Sequence, residues 1–105
     1  MKFTDKNDYL SAESMAGDIA GDAILLDQIY GYSWQCVWTG TPQGNIIHQV
    51  SNDGTTWFDL DTQAAGGAAG TKLFEKNGAF YKYTRIFFDF TASTGALTVK
   101  FFGKG

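Results

Sequence analysis

A chain of 105 residues has room for one domain with a single two-layer core. Its formal charge of −3, with 8 Lys and Arg against 11 Asp and Glu, offers no cationic surface for phosphates and sets nucleic acid aside as a partner. Nine Phe, five Tyr and three Trp beside 13 Gly and one Pro point to strands punctuated by glycine turns, hence an all-β domain whose lone Cys36 forms no intrachain disulfide.

Residues 1–22 are the least legible part of the chain, with widely spaced apolar positions at Phe3, Tyr9, Leu10, Met15 and Ile19. An edge strand, a short helix around Ser11 to Ala16, and an arm that orders on a neighbouring subunit all fit, so the chain divides into an N-terminal segment, 1–22, and a single domain, 23–105. No charged segment followed by an apolar core opens the sequence, and no apolar stretch nears the roughly 20 residues that span a bilayer. A protein made in the cytoplasm without membrane insertion is expected.

Ala23 to Leu26, bounded by acids, reads as a short buried strand. From Tyr30 to Trp38 the chain alternates, placing Tyr30, Tyr32, Trp34, Cys36 and Trp38 on one face. Thr39 to Gly44 contains the only Pro and reads as a turn; Gly44 to Ser51 returns as a strand. Asn52-Asp53-Gly54 then marks a hairpin, because Gly accepts positive φ and Asp bonds back to its own backbone. The economical topology is an antiparallel meander. Thr62 to Gly70 reads as a surface loop, Asn77-Gly78 as a second hairpin, and Ala79 to Phe90 as a strand ringed on both faces and therefore central. Ala96 to Phe102 closes a set of seven or eight strands, the number a small sandwich needs.

Chemistry finds little footing. One His and one Cys without an orienting third group do not make a catalytic pair, and two candidate ligands do not make a zinc site. Asn52, Asp53, Asp59 and Asp61 cluster around one turn but lack the spacing of a calcium loop, and no glycine motif cradles a phosphate. No cofactor, no metal and no enzymatic activity are expected. What remains is binding: Tyr30, Tyr32, Trp34, Trp57 and Tyr81, with Asn52, Asp53 and Arg85, are the candidate ligand or interface residues, since sugars pack on rings flanked by directional hydrogen-bonding groups. A core of this size also takes rings, Trp57 among them.

Ser51-Asn52-Asp53-Gly54-Thr55-Thr56-Trp57 resembles a segment of discoidin-like and carbohydrate-binding β-sandwiches. With Leu26 to Ser33, Val37 to Gly44, Tyr83 to Ile86 and the closing Lys104-Gly105, the stretch from about residue 24 onward is similar to small bacteriophage virion structural proteins. The resemblance implies an antiparallel β-sandwich of jelly-roll or discoidin-like form, located in the virion as a decoration, cement, minor capsid or spike subunit. Its expected partners are itself, as a homo-oligomer with a trimer favoured, and other virion proteins. The competing reading is a glycan-binding or host-adsorption module whose partner is a host surface glycan.

Overall fold

The computed structural model describes residues 3–105, and these form nine strands with no helix among them. The strands are β1 (Phe3–Ser14), β2 (Ile19–Ala20), β3 (Ile24–Leu25), β4 (Gly31–Gly40), β5 (Gln43–Ser51), β6 (Phe58–Ala64), β7 (Gly70–Asn77), β8 (Tyr83–Ala92) and β9 (Gly95–Lys104). The count exceeds the expected seven or eight because β2 and β3 are two-residue pieces.

Two antiparallel sheets face each other, one ordered β1-β9-β4-β7 and the other β2-β8-β5-β6, with β3 also on β8. Setting β3 aside, the pairs β1·β9, β2·β8, β4·β7 and β5·β6 nest from the chain ends inward. That is a long hairpin rolled around itself, the jelly roll. It replaces the expected meander. β4 and β5 are consecutive yet lie in different sheets, so the Pro42 corner passes from one layer to the other; Gly40, at φ +83°, turns the chain there with Gly95 Cα 2.7 Å from where a Cβ would stand. Asn77-Gly78 likewise joins strands of different sheets and is no hairpin, whereas Asn52-Asp53-Gly54 does connect the paired β5 and β6.

The alternation of β4 does what its pattern requires. Tyr32, Trp34, Cys36 and Trp38 point into the core with Phe74, Leu97, Val99 and Phe101 of the same sheet, against Ile46, Ile86 and Phe88 of the other. Trp34 is fully buried between Tyr9 and Phe101, with ring centroids 4.5 and 4.6 Å away. Each side chain of this kind contributes about 1.5–3 kcal/mol on burial. β8 is central, as rings on both faces demand, lying between β5 and the short β2 and β3. Residues 3–20 supply β1 along β9 and β2 along β8, so the edge-strand alternative describes them and the helix does not. Tyr9 crosses from β1 to the other sheet, its hydroxyl donating to Asp22 O at 2.6 Å and accepting from Ile86 N–H at 3.3 Å.

At one end of the sandwich Thr41 N–H donates to Thr94 O and Met15 N–H to Gly95 O. At the other end three connections, 26–30, 52–57 and 78–82, lie together: Leu26 N–H donates to Lys82 O, Ala79 N–H to Tyr30 O, and Lys82 N–H to the Asn52 side chain. This end and the adjoining outer face of the five-stranded sheet carry most of the candidate residues.

Candidate functional site

The 52–57 loop is held by its own polar atoms. Ser51 Oγ accepts from the N–H groups of Asp53 and Gly54, and its hydroxyl donates to Asp53 Oδ1 at 2.9 Å. The same Oδ1 accepts from Thr56 N–H at 2.7 Å and Thr55 N–H at 2.8 Å. These two backbone donors, with the Ser51 hydroxyl, lower the Asp53 pKa to about 2. Asn52 Oδ1 is occupied by Lys82 N–H. The motif's oxygens thus serve first to fix a loop, as Asx-type turns do. A shallow depression of about 270 Å³ lies beside them, lined by Asn52, Asp53, Thr56 and Phe58.

What the loop positions is Trp57. Its ring lies 4.2 Å from the Arg85 guanidinium carbon, and the Phe87 ring lies 5.3 Å from the same carbon. Arg85 Nε donates to Gln49 Oε1 at 2.8 Å, and Gln49 Nε2 donates to Asp59 Oδ1 at 2.9 Å. A guanidinium fixed between rings and by one nitrogen keeps its terminal fork for another partner. Burial under these rings lowers the Arg85 pKa from its ordinary value, and the group stays charged. Arg85 makes no ion pair with another described residue. Trp57 itself is half-buried on the outer face and belongs to no core cluster.

The remaining candidates scatter. Tyr30 is exposed at the three-loop end, where its carbonyl accepts from Ala79 N–H, and Phe80 is 85% exposed. Tyr81 is half-buried against the core, with Lys76 Nζ 5.9 Å from its ring centroid. Tyr32 and Trp34 must be corrected: both point inward and are buried, so neither presents a ring to a ligand or partner. Trp34 Nε1 donates to Thr84 Oγ1 at 3.2 Å, and Tyr32 Oη lies 2.6 Å from His48 Nε2.

That last contact belongs to a chain no sequence pattern announced. His48, on β5, is fully buried, and its Nδ1 lies 3.1 Å from Asp61 Oδ2. Burial lowers the His48 pKa, so the imidazole is neutral, with Nδ1–H donating to Asp61 and Nε2 accepting from Tyr32. Desolvation pushes the Tyr32 phenol up to about 12. The order Asp61–His48–Tyr32 has the look of a catalytic relay, yet its terminal hydroxyl is sealed inside the core; it ties β4 of one sheet to β5 of the other. Cys36 is also buried, its thiol pushed up to about 12 by desolvation, and it stands in the opposite sheet from His48. Among the described residues no group of three His, Cys, Asp or Glu is placed to hold a metal.

No protein-family model matches the chain, and no curated protein matches its sequence. A solved fold does: the crystal structure of SPBc2 prophage-derived protein YomS superposes with a TM-score of 0.63 over 97% of this chain and 92% of that one, at 7% sequence identity. At that identity the likeness is one of fold.

Proposed function

We propose that the chain is a non-enzymatic structural subunit of a bacteriophage particle, acting through contacts with copies of itself and with other virion proteins. One observation carries the reading: a jelly roll occupying nearly the whole chain, in the form shared with a prophage-derived protein, leaves several rings on outer surfaces while the Tyr32 hydroxyl and His48 are closed off inside. Phe3, Tyr30, Phe58, Phe80 and Phe102 are all exposed and offer large apolar side chains to such contacts.

The sheet edges favour contacts through faces over strand-to-strand pairing. β1 is bulged at two places along β9, β6 carries a register shift against β5, and β2 and β3 are short. β7 is regular, but Lys72 and Lys76 stand on its core-facing side opposite Cys36 and Tyr32, an inward charge that discourages a further strand. Light scattering coupled to gel filtration tests the reading. A closed oligomer whose Trp fluorescence ignores saccharides supports it; a monomer at every concentration, with saturable quenching by a saccharide, overturns it.

A second reading, a glycan-binding module, draws on the Trp57–Arg85 stack beside the depression at Asn52 and Asp53. It requires a monomer or oligomer whose Trp57 emission responds to sugar, and loses that response in Trp57→Ala.

A further inference from the structure

The outer face of the five-stranded sheet carries opposite charges on the two sides of an apolar row. Thr84, Ile86 and Phe88 of β8 are buried inward, so Arg85, Phe87 and Asp89 line the outside. Phe87 pairs with Ala20 on one side and Ile47 on the other, and Ile47 pairs with Thr62. Together they form a row of small and apolar residues across the sheet. Ile47 points away from the core yet is only 8% exposed. Two residues along β8 in one direction stands Arg85; two residues in the other stands Asp89. Each is about 7 Å from the row. Neither is paired with another charged residue among those described.

We propose that this face docks a second copy of the chain, with a two-fold axis lying along the Ala20–Phe87–Ile47–Thr62 row. The axis runs across β8, so the half-turn exchanges its two directions and sets Arg85 of each copy against Asp89 of the other. Phe87 and Thr62 then meet their own counterparts. This is an isologous contact, in which each residue of the patch finds its complement on an identical patch. Opposite charges flanking an apolar centre make the patch complementary to itself, which suits a second copy. Trp57 and Gln49 hold the guanidinium in place before contact, which lowers the ordering cost of the pair.

Sheets stacked in this way sit about 10 Å apart with strands crossing within about 30°. Ten residues of β8 by four strand spacings make a face of about 600 Å² per copy, so the pair buries about 1,200 Å², the lower bound of a stable interface. The inference rests on the self-association in the proposed function and replaces the three-fold arrangement expected from sequence with a two-fold one.

A charge-swap cycle on the full chain tests it by light scattering across the micromolar range. Arg85→Glu and Asp89→Lys should each weaken dimerisation by about tenfold or more, and the double variant should recover the dimer. Circular dichroism of each variant monitors the fold. Thr62→Cys leaves both charges intact and lies on the axis, so a short bis-maleimide should link it to its counterpart while the buried Cys36 stays silent. Single variants that associate like the parent, with no Thr62→Cys crosslink, overturn this inference and move the contact elsewhere while leaving the proposed function standing. Singles that dissociate without rescue in the double variant overturn the Arg85–Asp89 pairing. A parent chain that stays monomeric throughout overturns both.

Discussion

Mild acid should weaken the sandwich through His48. In the folded chain the neutral ring accepts at Nε2 from Tyr32 and donates at Nδ1 to Asp61, linking β4 and β6 through β5. Burial lowers the folded pKa below the ordinary value of 6.5, against the opposing pull of Asp61. The unfolded chain therefore binds the proton more readily, so the stability contributed by the neutral ring is complete above about pH 6.5 and drains as pH falls toward the folded pKa. The drain is at most about 1.4 kcal/mol per pH unit. A domain of this size loses about 4–8 °C of Tm per kcal/mol, so Tm should drop by up to about 10 °C between about pH 7.5 and 5.5. Asp53 acts in a separate window: its pKa is lowered to about 2, so its contribution is present above about pH 4 and is lost only as pH falls toward 2. His48→Gln removes the titrating group; it should melt lower at neutral pH, by about 1–3 kcal/mol for the disturbed buried hydrogen bonds, and then change little across the window. Thermal melts of both chains at three pH values decide the matter. A parent Tm that is flat from about pH 7.5 to 5.5, or a His48→Gln curve that falls just as steeply, refutes the reasoning.

Trp34→Ala, which empties the contact between Tyr9 and Phe101 and strands Thr84 without its indole donor, should cost about 3–5 kcal/mol in urea unfolding, a large share of the about 5–15 kcal/mol a domain possesses. Gly40→Ala meets Gly95 Cα at 2.7 Å and Thr94 O at 2.8 Å with φ at +83°, and should cost about 1–3 kcal/mol by the same measurement. Asp53→Ala should leave the fold intact but speed hydrogen exchange at the Thr55 and Thr56 amides, which then lose their acceptor. A chain beginning at Gly21 lacks β1 and β2 and bares the β9 edge, so circular dichroism should find it unfolded or aggregated; a folded monomer would return residues 1–20 to the role of a dispensable arm.

The interior was legible where side chains alternate cleanly. Tyr32, Trp34, Cys36 and Trp38 announce an inward face, and Phe87 and Phe88 announce a central strand, because a two-residue period survives any choice of neighbours. Sheet membership was not legible: turn chemistry at Asn77-Gly78 and at Thr91 to Gly95 says that the chain reverses, not whether it reverses within a layer or between layers. β1 was hidden because its register against β9 slips between Lys6 and Leu10 and again between Leu10 and Glu13, which erases the alternation a reader relies on. Asn52, Asp53 and Trp57 share one loop, and Trp57 stacks on Arg85, but which oxygens the loop consumes is a matter of backbone geometry. The His48–Asp61 bond sits beside the register shift between β5 and β6, and a bulge of one residue has no signature in composition.

Pairing the first long strand with the last has a consequence in time. β1 can find its partner only once β9, ending at Lys104, has been made, and β2 waits on β8. Neither sheet can close until the strands at residues 83–104 have left the ribosome, so the core rings remain uncovered until then. Contacts this distant along the chain also close slowly, in milliseconds to seconds for all-β domains. The nascent protein therefore passes through an interval in which aromatic surface is open to other chains, and its yield at high expression will depend on temperature and chaperone supply more than its final stability suggests.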